Sequence, residues 1–261
     1  MDIFNRGDAS FKYEVRSAKK WIKLSSTKGT IEKQDRIVVG IDWKKAPIGK
    51  YRTPINIMGP NKTHIRVDAI INNPSYPKPV DLNGFVEGNG YVSIEAENYS
   101  RAVEFDQVRW LRIPNLGRTK SALTAVPVTD SISLPIGSTP HLEYRVYFFN
   151  SGKVKVKIYL SPTLNFHNTQ GLRFAVSMDD GLPQVINMHA RSGNQVWEEW
   201  VANNINICES EYTIKKPGNH TLKYWLVDAG VVVQKFVIET GKVKPSYLGP
   251  PESFHSIKKM E

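Results

Sequence analysis

Apolar residues recur at every second position through much of this chain, a spacing that only an extended strand turns into one buried face. In 141–149, Leu142, Tyr144, Val146 and Phe148 share one face, and Glu143 and Arg145 take the other. In 153–160, Val154, Val156, Ile158 and Leu160 alternate with Lys153, Lys155 and Lys157. The segment 36–42 places Ile37, Val39 and Ile41 inward, and 65–71 does so with Ile65, Val67, Ala69 and Ile71. Such alternation requires sheets with one buried and one wet face. The segments 221–227 and 231–238 also read as strands, the second apolar on both faces and therefore central. The one helical signal is 197–203, ended by Asn203–Asn204. Turn residues punctuate the chain about every 8–12 residues, as in β-sandwiches, and no βαβ alternation is present.

The stretch 72–90 carries three prolines and three glycines and reads as a boundary, because proline cannot donate to a strand ladder. The expected organisation is a first β-sandwich at 1–76, a linker at 77–85, a second sandwich at 86–246 and an arm at 247–261. The arm is Pro-rich and polar, and reads either as disordered or as docking on a neighbour. The formal net charge of +10 is uneven: residues 1–76 hold 15 Lys and Arg against 7 Asp and Glu. That excess fits exposed lysines on strands and sheet edges. No aromatic-interleaved basic stripe of the kind that holds single-stranded nucleic acid accompanies it, so no nucleic-acid partner is expected. No apolar run reaches the roughly 20 residues that span a bilayer, and no membrane partner is expected.

Chemical signatures are few. The phosphate-cradling, dinucleotide and HExxH patterns are absent, the six histidines lack zinc spacing, and Cys208, the single cysteine, cannot form an internal disulfide. Glycoside hydrolysis needs two opposed carboxylates. Asp179-Asp180-Gly181 is turn chemistry, and Glu198–Glu199 fits a helix start. Glu95 and Glu97 are expected on one outward face about 7 Å apart. Two carboxylates so close repel unless a lysine, an arginine or a structural calcium ion lies between them, the alternative being a pair simply exposed to solvent. Trp110, Trp197 and Trp200 lie near polar positions and are candidates for a sugar-stacking platform, whereas Trp21, Trp43 and Trp225 read as packing residues.

The segments GYVSIEAENYSRAV, WLRIPNLGRTKSALTAVPV, YLSPTLNF, WVANNINI, HTLKYWLVDAGVVVQKFVI and KPSYLGPPES, in that order, resemble the C-terminal domain of glycoside hydrolase family 115. Upstream, SAKKWIKLSSTKGTI and DRIVVGIDWKKAPIGKY resemble an Ig-like module of the BACON type. The resemblance implies an all-β architecture, an Ig-like sandwich followed by a jelly roll. It also implies an accessory role beside the (β/α)₈ barrel of a xylan α-1,2-glucuronidase, with xylan and a second copy of the chain as further partners. No catalytic residue transfers, because the family's catalytic acids lie in the barrel. The start MDIFNRGDAS lacks a secretion signal, so the numbering is expected to begin inside a longer periplasmic or secreted protein. The EAENY opening is similar to carbohydrate-binding module families 6 and 35, in which a carboxylate of the opening strand and an aspartate of the last strand hold calcium. Gln234 stands at the aspartate position here.

Overall fold

Residues 1–78, 81–129 and 139–256 are described in a computed structural model. The chain divides into two units, Met1–Asp81 and Leu82–Glu261. In the first unit the strands are β1 (Asp2–Phe4), β2 (Phe11–Ser17), β3 (Ile22–Leu24), β4 (Lys28–Ile31), β5 (Gln34–Arg36), β6 (Val39–Ile41), β7 (Gly49–Met58) and β8 (His64–Asn73). A four-stranded sheet runs β4-β2-β7-β8, and β1-β5 and β3-β6 form two short ribbons. Tyr13, Val15, Ile31, Ile37, Ile55 and Trp21 make the core.

Two expectations fail in this unit. Ile71 is buried, but Ile65 is 53% exposed and Val67 is exposed as well. Strand β8 pairs only with β7, at the sheet edge, so the apolar face of its first half runs beyond the core. Trp43, expected in the core, is 52% exposed on the turn that follows β6.

The second unit contains β9 (Gly84–Val86), β10 (Tyr91–Glu95), β11 (Arg101–Val103), β12 (Arg109–Ile113), β13 (Ala122–Val126), β14 (His141–Phe148), β15 (Gly152–Leu160), β16 (Arg173–Met178) and β17 (Gln184–Asn187). Helix α1 (Asn194–Asn203), β18 (Asn206–Ile214), β19 (Gly218–Leu226), β20 (Val233–Glu239) and β21 (His255–Ser256) complete it. One sheet is ordered β12-β13-β20-β15-β18, with β10 on β20. The other is ordered β17-β16-β19-β14-β9-β21, with β11 on β14. The two form a sandwich whose core includes Tyr144, Phe148, Ile158, Phe174, Tyr224 and Phe236. The alternating residues of β14 and β15 point into it as the sequence implies. Strand β20 pairs with β10, β13 and β15 and is buried on both faces. Helix α1 begins three residues before the expected start, and Asn204 ends it in the left-handed conformation (φ 51°).

The expected linker 77–85 is too long. Residues 79 and 80 lie outside the described residues, but Leu82 is already buried, and Phe85 and Val86 pair in parallel with Val146 and Tyr147. Gly84 allows this entry, having φ +96° and a backbone so close to β14 that a Cβ would lie 2.2 Å from the Arg145 carbonyl oxygen. The C-terminal segment docks on its own sandwich, with residues 257–261 outside the described residues. Ser253 N–H donates to Ser93 O at 2.9 Å, Ser93 N–H donates to Ser253 Oγ, and β21 pairs with β9. The His255 ring stacks on Phe85, with centroids 4.1 Å apart and planes 6° apart.

Gly84→Ala combines a left-handed φ with a main-chain clash. It is expected to lower the stability of the second unit by more than about 1 kcal/mol, read as a fall in the urea midpoint of its transition.

Candidate functional site

Strands β10 and β20 run antiparallel with Glu95 opposite Lys235, and both residues are only 3% exposed. The Lys235 Nζ lies 2.9 Å from Glu95 Oε1, and donates to Leu248 O at 3.3 Å and to Pro250 O at 3.4 Å. The ammonium thus has an acceptor for each of its three protons. The Thr119 hydroxyl donates to the Glu95 carboxylate at 2.7 Å, and Glu252 receives the Glu95 N–H, the Asn98 amide and the Lys120 ammonium. Strand alternation placed Glu95 on a wet surface, but the C-terminal segment covers that surface.

Glu97 follows β10 and forms a close ion pair with Arg112 of β12. Burial raises its carboxyl, but a hydrogen bond from Ser121 and the Arg112 guanidinium outweigh burial and hold the group below its ordinary range. Each acid of the expected pair therefore has its own cation. A calcium ion does not fit this donor set, because Glu95 is already engaged by an ammonium and a hydroxyl. Among the described residues, no group of three or more His, Cys, Asp or Glu could hold a metal ion. Gln234 serves packing: its carbonyl accepts the Arg118 N–H at 3.0 Å and its amide donates to Ser161 Oγ at 2.9 Å.

The expected aromatic platform does not assemble. Trp200 is 6% exposed and meets Trp197 edge-on at 6.4 Å on α1. Trp110 lies on β12, packs 6.0 Å from Tyr224 and donates its indole N–H to Val103 O at 3.3 Å. The six-stranded sheet runs from β12 at one end to β18 at the other, and α1 immediately precedes β18. Trp197 on the helix and Trp110 on β12 are both half-buried, on separate elements.

The remaining acids of the sandwich are mostly committed. Asp179, left-handed at φ 54°, receives His220 Nδ1 at 2.7 Å and the Thr221 N–H at 2.9 Å. Asp228 is forked by Arg173, Glu143 by Arg101, and Glu199 pairs with Arg191. Burial pushes the Cys208 thiol up to about 12, so it is no nucleophile at neutral pH.

The sandwich does contain two clefts that the sequence reading missed. One, of about 850 Å³, lies between the β16–β17 turn and β18, with Lys153, Lys215, Lys216, Glu211 and Tyr212 among its walls. A second, of about 460 Å³, is bordered by Arg118, Trp200, Asn206 and Cys208. The Lys215-Lys216 pair was a visible signal for the first, but its opposite wall comes from a distant part of the chain.

Residues 84–252 match the model of the glycosyl hydrolase family 115 C-terminal domain. No curated protein matches the chain. Among solved structures, the chain is similar to a family-115 4-O-methyl-α-glucuronidase with specificity for decorated arabinogalactans, at 21% identity and a TM-score of 0.42 over 56% of this chain. The match spans 18% of that enzyme. It is also similar to the C-terminal family 6 carbohydrate-binding module of a laminarinase from Zobellia galactanivorans, at 13% identity and a TM-score of 0.38, covering 57% of this chain and 98% of that one. A family 35 carbohydrate-binding module from Clostridium thermocellum matches at 15% identity and a TM-score of 0.38, covering 56% and 97%.

Lys235→Met strands a buried carboxylate and is expected to cost about 3–5 kcal/mol, with Glu95→Leu in the same chain restoring most of the loss; urea denaturation of both variants checks this. The Glu97–Arg112 pair should show a pH signature. A carboxyl whose folded value is depressed stabilises above its unfolded value and loses that contribution as pH falls through the folded one. Arg112→Leu should therefore lower the urea midpoint at pH 7, and the gap from the parent chain should close as pH falls below the ordinary carboxyl value of 4.5.

Proposed function

The chain belongs to the glycosyl hydrolase family 115 C-terminal domain family, and from that premise we propose that it is a non-catalytic accessory region of a xylan α-1,2-glucuronidase, one that braces the catalytic barrel and contacts the polysaccharide. The observation that carries this reading is the extent of the family match. It opens at Gly84 of β9 and closes at Glu252 of the docked segment, so one unit holds the whole matched span. Within that unit Glu95, Glu97, Glu143 and Asp228 are each neutralised by a lysine or arginine. Hydrolysis of a glycosidic bond needs instead an acid and a base or nucleophile facing one another across the substrate.

The first unit is read as an Ig-like spacer of the BACON type. Its edge strand β8 exposes Ile65, Val67 and Ile70, which supports a contact with the barrel or with a second copy of the chain. With a polysaccharide as its target, the parent protein is read as periplasmic or secreted. The second reading, a free-standing carbohydrate-binding module, is favoured by the two open clefts beside β18.

The 261-residue chain, incubated alone with 4-O-methylglucuronoxylan, is expected to release no detectable uronic acid by a reducing-end or chromatographic assay. Steady release would overturn the accessory reading.

A further inference from the structure

Strand β17 ends the seven-stranded sheet and β18 ends the six-stranded one. Along one side of the sandwich these two edges run beside each other, bridged by the Gln184 amide donating to Glu211 O at 2.9 Å. The two clefts occupy successive stretches of that seam. The larger takes in Gln184 of β17 and 211–213 of β18. The smaller takes in 186–187 of β17 and 206–209 of β18. Strand β18 is nine residues long, and at about 3.3 Å per residue the seam extends for roughly 30 Å. A single sugar does not need such length, whereas an extended polymer does.

The charges along the seam are uneven. In the larger cleft Asp179 is held by His220 and Thr221, and Asp180 by Lys223. That leaves Lys153, Lys215 and Lys216 with no carboxylate partner among the described residues, against one unpaired acid, Glu211. At the other end Arg118 is half-buried and spends its guanidinium on carbonyl oxygens, those of Asn203 and Tyr247. It has no carboxylate partner among the described residues, and its guanidinium also lies 4.0 Å over the Tyr247 ring, so it marks the far end of the seam as already engaged. Arg101, Arg112 and Arg173 of the same unit each meet a carboxylate instead. Uncompensated lysines at one end of a polar seam call for an anionic guest, and the seam's length calls for one that extends along it as a chain.

We propose that the β17–β18 seam binds an acidic polysaccharide, with uronate carboxylates seated on Lys153, Lys215 and Lys216 and the chain running past Gln184 toward Arg118. Exposed Leu182 at the rim and Tyr212 in the wall supply apolar surface for the C–H faces of the sugar rings. This deepens the reading of the chain as a polysaccharide-directed accessory region and rests on it. It also moves the contact from the aromatic residues of β12 and α1 to the basic seam.

The test is affinity electrophoresis of the full chain in gels containing 4-O-methylglucuronoxylan or the same polymer after reduction of its carboxyl groups. Retardation is expected on the acidic polymer and not on the reduced one, and should fade as salt is raised, because ammonium–carboxylate contacts are screened. Lys215→Glu with Lys216→Glu, both at exposed positions, should weaken retention at least about fivefold. Lys12→Glu with Lys28→Glu, an equal charge change on the first unit, should leave it within about twofold. Three results overturn the proposal: no retardation on either polymer, equal retardation on both, or equal losses in the two double variants. None of them bears on the non-catalytic character of the chain, which stands or falls on uronic acid release.

Discussion

A single charge pair, Glu95 with Lys235, is sealed between two of the most buried strands of the sandwich, and the surrounding segments are arranged to satisfy it. Removing both charges from water is costly, and their attraction offsets that cost only when the remaining protons and lone pairs find partners. Here the partners are three residues from two places: Thr119 in the loop after β12, and Leu248 and Pro250 in the C-terminal segment. The pair therefore dictates where the tail must lie. The position of the tail in turn brings Glu252 to Lys120 and Asn98, and His255 to Phe85.

Much of the sandwich was legible because period-two patterning reports burial directly where a strand has one wet face. The alternating apolar residues of β14 and β15 are buried as patterned, although Tyr147 and Tyr159 on the opposite faces are buried as well, and β20 was recognisable as central from its two apolar faces. Reading failed where a third layer or an edge intervened. Glu95 alternates like an exposed residue, and nothing local announces that a segment some 150 positions later will cover it. A lysine inside the apolar run of β20 was the available hint that an acid must be buried opposite. Ile65 and Val67 alternate like core residues but lie on an edge strand. Tryptophan placement follows the same logic, since Trp43 is exposed and Trp200 buried because of what packs around each and not because of its neighbours in sequence.

The candidate site divides in the same way. Local chemistry correctly marked Asp179-Asp180-Gly181 as a turn, and the turn now forms one wall of a cleft. The cleft itself is a property of two sheet edges whose residues are separated by more than twenty positions, such as Gln184 and Glu211. No pattern within a single strand encodes that meeting. What the fold does with its charges is nevertheless uneven: Glu95, Glu97, Glu143 and Asp228 are each matched by a lysine or arginine, while the lysines of the larger cleft are left for something outside the chain.

The covering segment also sets an order of events. Glu95 and the residues that shield it are separated by most of the second unit, 157 positions in the case of Glu252. During synthesis β10 emerges long before its cover exists, and the carboxylate stays hydrated until the last strands and the tail have left the ribosome. Covering this pair is thus a late, long-range event, and a chain that ends before Leu248 leaves Lys235 without its two carbonyl acceptors.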